Sequence, residues 1–192
     1  MNKTLIVAAL LLAFAAPTFA QTSNSEFGFL LGGSKRLSSK GDVANGVSVN
    51  DRFTFSNSVK EAYFSIQLDS DTRFKVKVGR MTAPGAFRTL DANQNKVRND
   101  VAKANVDHVD AIIDYRFSEP FGSTGLFAGV GLYRQSASGF ASESNYGLQV
   151  GVNGDFPISR RYGFVAEAAY HAVNYHYRPR YVTLSGGLRI SF

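Results

Sequence analysis

The sequence predicts an all-β fold, an eight-stranded antiparallel up-and-down transmembrane β-barrel. Three observations predict it. Residues 181–192 alternate strictly: Val182, Leu184, Gly186, Leu188, Ile190 and Phe192 share one parity, and Tyr181, Thr183, Ser185, Gly187, Arg189 and Ser191 the other. A period of two with one apolar face belongs to a strand. Seven further segments alternate in the same way, joined by connections that are short and long by turns. The composition agrees, with 18 Gly, 16 Phe and 9 Tyr but no Cys or Trp in 192 residues. Glycine and aromatics in short alternating segments suit a barrel better than a helical or α/β domain.

Ahead of the strands, Lys3 precedes an apolar run from Leu5 to Ala16, followed by Pro17-Thr18-Phe19-Ala20. Small residues at −1 and −3 predict a signal peptide over 1–20, cleaved before Gln21. An apolar run of about 12 residues is too short to cross a bilayer as a helix. Residues 21–192 are left as one barrel domain. Without cysteine, disulfides, thiolate metal sites and lipid attachment through an N-terminal Cys are all excluded.

The first strand sets Phe27, Phe29 and Leu31 against Glu26, Gly28 and Gly32. The second sets Ala62, Phe64, Ile66 and Leu68 against Glu61, Tyr63, Ser65 and Gln67, and Asp69-Ser-Asp71 turns the chain. In the third, Phe74, Val76 and Val78 alternate with Arg73, Lys75 and Lys77. The fourth carries Val109, Ala111, Ile113, Tyr115 and Phe117 against His108, Asp110, Ile112, Asp114 and Arg116. Pro120 and Gly122 mark the next turn. The fifth opposes Leu126, Ala128, Val130 and Leu132 to Phe127, Gly129, Gly131 and Tyr133. The sixth opposes Tyr146, Leu148, Val150 and Val152 to Gln149, Gly151, Asn153 and Asp155. The seventh runs Tyr162, Phe164, Ala166, Ala168 and Tyr170 against Glu167 and His171, and the eighth ends on Phe192.

Connections at 69–71, 118–123 and 157–161 are short, while those at about 34–58, 81–105, 135–143 and 172–180 are long. An even strand count puts both ends on the short-turn side, the periplasmic side of bacterial barrels. Val47, Val49, Phe53 and Phe55 alternate on the opposite parity from the second strand. They either extend that strand through a bulge or form a hairpin arm within the first long loop. A soluble β-sandwich is the competing fold, because alternation alone does not distinguish lipid from a protein core.

The leader, the eight alternating segments, the short and long connections and the terminal Phe192 together resemble small outer-membrane barrels of the OmpX, OmpA-transmembrane and opacity type. The resemblance implies residence in the bacterial outer membrane, with Phe192 as the assembly signal read by the barrel-assembly machinery. It also implies a barrel without the periplasmic peptidoglycan-binding domain of OmpA-like proteins.

The lumen-facing parity holds Glu26, Glu61, Arg73, Lys75, Lys77, Asp110, Asp114, Arg116, Glu167 and Arg189. A Lys or Arg facing lipid at mid-bilayer costs roughly 2–4 kcal/mol, so these side chains must point inward. Expected pairs are Glu61 with Lys75 or Lys77, and Arg189 with Glu167 or Glu26. Eight strands enclose a space that side chains about fill, which predicts an ionic plug; a narrow ion path is the alternative. Outward Tyr115, Phe117, Tyr162 and Phe192 are expected at the periplasmic rim, and Tyr146, Tyr170 and Tyr181 at the outer rim.

The formal net charge of +6 lies mostly in the long connections. Arg88, Arg98, Lys103, Tyr175, Tyr177, Arg178 and Arg180 are the candidate binding residues there. Their expected partners are outer-membrane lipids, lipopolysaccharide phosphates and anionic host or cell-surface polymers. Nucleic acid fits neither the compartment nor any motif. Some small barrels modify lipid A, and His171-Ala-Val173-Asn174 faintly resembles the His-x-Ser-Asn of lipid A deacylase barrels. Val173 stands where that motif needs its nucleophilic Ser, which argues against an enzyme. Asp107, His108 and Asp110 are close in sequence, but neighbours along a strand point to opposite faces and make a poor metal site. No cofactor is expected.

Overall fold

The computed structural model describes residues 25–37, 57–119 and 121–192. The expected leader at 1–20 and the segment 46–56 lie outside the described residues. Eight strands form one closed antiparallel barrel in the order β1 to β8, with each strand bonded to its neighbours in sequence and β1 to β8. The strands are β1 (Ser25–Leu37), β2 (Ser58–Gln67), β3 (Thr72–Leu90), β4 (Lys96–Glu119), β5 (Gly122–Ser136), β6 (Glu143–Pro157), β7 (Tyr162–Val173) and β8 (Arg180–Ser191). Closure leaves no strand edge in the wall, the condition for β-structure to cross hydrocarbon.

Burial follows the parity of the sequence. The outward row of β5 is open, with Leu126 at 55 %, Val130 at 60 % and Leu132 at 65 % exposure, while Phe127 and Tyr133 on the other parity are buried. Leu31, Leu148, Val152, Leu184 and Leu188 continue this apolar wall around the barrel. A sandwich would bury such a surface between its sheets; here it faces outward, where only lipid can cover it. Outward Tyr115, Phe117, Tyr162 and Phe192 are exposed at the short-turn end and Tyr146 at the other. Tyr181 departs from expectation: it is fully buried, because it shares the inward parity of Thr183 and Arg189.

Glycines on the inward parity make room for larger lumen side chains. A Cβ on Gly28 would stand 2.4 Å from the Tyr63 ring, and one on Gly131 would overlap Asp110 Oδ1 at 1.9 Å. Small and large residues therefore alternate across neighbouring strands, as a narrow barrel requires.

The largest departure lies at 81–105, read from sequence as a long loop. It is a β-hairpin in which β3 and β4 stay paired from Met81↔Val106 to Leu90↔Lys96. Pro84 and Gly85 occupy a register shift between Ala83 and Gly85, where a bulge tolerates a missing donor. The tip is a turn with Gln94 N–H donating to Asp91 O, followed by Gln94 itself at φ 61°. Asp91 Oδ1 accepts from the N–H groups of Asn93 and Asn95 at 2.9 and 2.8 Å, which holds the carboxyl below its usual pKa range.

Candidate functional site

Two features could carry function, the lumen and the outer face. Parity alone aims the lumen side chains inward; the barrel's closure then decides who meets whom. Near the short-turn end, Asp155 on β6 receives Arg189 Nε at 2.7 Å and Arg116 NH1 at 2.5 Å. Glu26 on β1 pairs with Arg73 and lies 3.6 Å from Arg189 Nε. Arg116 also reaches Asp114 Oδ2 at 3.2 Å. Deeper in, Glu167 sits between two lysines from the opposite wall, bonding Lys75 Nζ at 2.6 Å as well as Lys77. Lys75 has Asp114 as a second partner at 3.5 Å, and Lys77 has Glu61 at 3.7 Å. Both ammonium groups also lie near the Phe127 ring, at 5.5 and 5.2 Å from its centroid.

Of the expected pairs, Glu61 with Lys77 and Arg189 with Glu26 are brought together. Arg189 does not pair with Glu167, which belongs to the two lysines. Asp155, read on the inward face of the sixth strand, is missing from the expected network, and the structure adds it as the partner of Arg116 and Arg189. Its place on the inward parity was the available signal.

Above the ions lies a histidine layer. His108 Nδ1 is 2.5 Å from Asp110 Oδ2, and its Nε2 is 3.4 Å from Glu61. His171 is held between the Tyr133 and Thr183 hydroxyls, at 3.0 and 3.1 Å. Its strand neighbour Glu167 is committed to lysine, and Val173 is buried, so these residues do not assemble a nucleophile with a base. Asp107 points outward to Arg80 Nε at 2.5 Å, on the opposite face from His108.

The outer mouth is lined differently, by a cluster of Val59, Met81, Ala83, Val106, Tyr133, Val173, Tyr175 and Tyr181. Tyr175 was an expected surface binder and is instead 2 % exposed within this cluster. Burial holds its phenol protonated, with the pKa pushed far above its ordinary value. The β3–β4 hairpin bends over the same mouth. Ser34 Oγ donates to Thr82 O at 2.6 Å, Gln135 Nε2 to Ala86 O at 3.3 Å, and Phe87 stacks on Phe140 at 5.0 Å. Asp100 meets Arg36 at 3.5 Å and Arg98 at 3.0 Å.

The remaining expected binding residues divide into two groups. Arg88 bonds His176, and Arg98 lies 5.1 Å from the centroid of the Tyr177 ring, so these residues tie the hairpin to the β7–β8 connection. Lys103, Arg178 and Arg180 are exposed.

No protein-family model matches the chain, and neither does any curated protein sequence. Solved structures do match. Neisserial surface protein A aligns with a TM-score of 0.64 at 18 % identity, covering 88 % of this chain and 97 % of that one. The N-terminal β-barrel domain of Pseudomonas aeruginosa OprF aligns with a TM-score of 0.53 at 13 % identity, covering 90 % and 98 %. At such identities the likeness is one of fold, and it agrees with the apolar outer wall and the closed strand order. The chain has the fold of the small eight-stranded outer-membrane β-barrels.

Proposed function

We propose that the protein is a plugged, non-enzymatic outer-membrane barrel whose basic outer face binds anionic surface ligands, namely lipopolysaccharide phosphates or acidic polymers of a host or neighbouring cell. One observation carries the reading. The described lumen charges are engaged with one another beneath an apolar seal, whereas Lys96, Lys103, Arg178 and Arg180 stand exposed at the outer end. Exposed cations of one sign attract polyanions and speed encounter, with an effect that falls as salt rises.

The plug is tested by planar-bilayer recording on refolded protein. Silence is expected, and a sustained ion-selective conductance abolished by Lys75→Ala would overturn it. The outer face is tested with dextran sulfate and lipopolysaccharide vesicles. Alanine at Lys103, Arg178 and Arg180 together should cut binding of both probes and flatten its salt dependence. Unchanged binding would sink the role. Alanine at Arg88 and Arg98 should act indirectly, by loosening the hairpin.

A further inference from the structure

We infer that the outward wall of β4 and β5 is a binding groove for one outer-leaflet saccharolipid, with its acyl chain in the groove and its phosphate at Arg134. The groove begins as register. Asp107↔Arg134, Val109↔Leu132, Ala111↔Val130 and Ile113↔Ala128 are direct cross-strand partners, all on the outward parity. Ala111 and Ala128 are short, while Phe74 on β3 and Tyr146 and Leu148 on β6 border the depression they leave.

Three hollows of about 350, 400 and 520 Å³ follow one another down this wall. The first two share Val109, Leu132 and Tyr146, and the last two share Phe74, Ala111 and Val130. From residue 107 to 113 the track runs about 20 Å at ordinary strand rise, the reach of one long acyl chain.

Only the top of the groove is polar. Asp107, Arg134, Ser144 and Asn145 line the uppermost hollow. Arg134 NH2 donates to Ser142 Oγ at 3.3 Å, and Asp107 is bound by Arg80. Lys60 lies next in register to Arg80. Lys60, Arg80, Asp107 and Arg134 therefore form one row across β2 to β5 where the apolar wall ends, three cations to one carboxylate, leaving an excess of positive charge for a phosphate. Ser144, the cross-strand partner of Arg134, offers a hydrogen bond suited to a sugar hydroxyl.

The wall of β6–β8 supplies the contrast. Its hollow of about 770 Å³, lined by Leu31, Phe164, Ala166 and Leu184, is bordered by no lysine or arginine. That wall can take acyl chains but has nothing to select a charged head. The inference rests on the outer-membrane orientation and is independent of what the exposed loops bind.

Native mass spectrometry of the refolded full chain in detergent tests it, with phosphorylated lipid A, dephosphorylated lipid A and phosphatidylglycerol as probes. Wild type should retain one phosphorylated lipid A. Arg134→Ala should weaken retention roughly tenfold, and so should Ala128→Leu, which fills the groove. Ala166→Leu, on the other wall, should change nothing. Heat-modified gel mobility confirms that each variant is folded. Retention that is equal in all variants, or equal for the dephosphorylated lipid, overturns the site. Phosphatidylglycerol held as tightly as lipid A, with the same dependence on Arg134, overturns the saccharolipid as its occupant.

Discussion

The two halves of the lumen are lined by opposite chemistry. The half toward the short turns is filled with ions, with Glu167 between Lys75 and Lys77 and Asp155 between Arg116 and Arg189. The outer half is lined by the packed side chains of Met81, Val106, Tyr133, Tyr175 and Tyr181, with the β3–β4 hairpin against it. The difference teaches how a narrow barrel tolerates so much buried charge. Ion pairs strengthen as the local dielectric falls, but only if each charge keeps its partner. Under the proposed plug, the apolar layer at the mouth keeps water from competing for those partners.

That contrast can be broken from either side. Glu167→Ala leaves two buried lysines with only their secondary partners and should cost about 3–5 kcal/mol. The check is urea unfolding followed by far-ultraviolet circular dichroism. Replacing Glu167, Lys75 and Lys77 together with Met should recover part of the loss, because the two lysines are no longer stranded while Asp114 keeps Arg116 and Glu61 keeps only His108. Met81→Ala in the seal should cost about 2–4 kcal/mol by the same measurement, through lost burial and the cavity left behind. A clearly larger cost for Met81→Ala than for Glu167→Ala would reverse the assignment of which half is more sensitive to a single change.

Under the proposed plug the ionic and apolar layers act in series, so bilayer recordings should stay silent for Lys77→Ala and for Tyr181→Ala and show current only when both are combined. Conductance from either variant alone would show that a single closure does the sealing.

A smaller effect is expected at the hairpin tip. Gln94 occupies a left-handed conformation that glycine adopts without steric cost. Gln94→Gly should stabilise the hairpin by about 0.5 kcal/mol, seen as slower amide exchange at 88–98. Smallest of all is the pH response of the tips. Asp91 and Asp69 are both held below the ordinary carboxylate value by backbone N–H donors. A depressed folded pKa means that each turn is supported above the unfolded value and loses that support as pH falls through the folded one. Amide shifts at 70–72 and 93–95 should therefore stay constant through neutral and mildly acid pH and move only below about 3.8, the reference for a free Asp.

Much of the fold was legible along the chain. Lys75 and Lys77 alternate with Phe74, Val76 and Val78, and that pattern alone assigns both lysines to the lumen and the three apolar residues to lipid. The hairpin at 82–104 was not legible. Its inner face packs against Gln135, Phe140 and Arg36, residues far away in sequence, and Pro84 with Gly85 disguises the strand. Tyr175 misled for a related reason: a tyrosine in a basic loop looks like a surface contact until the loop folds over the mouth.

The sequence by itself determined the strand count and the face each residue presents, because a period of two is a local property of an extended backbone. Only the tertiary structure decided that Glu167 on β7 takes two lysines from β3, that Asp155 gathers arginines from β4 and β8, and that tyrosines from β5 and β8 meet in one seal. Those partners face each other across the lumen, so their meeting depends on closure and register, which no single strand encodes.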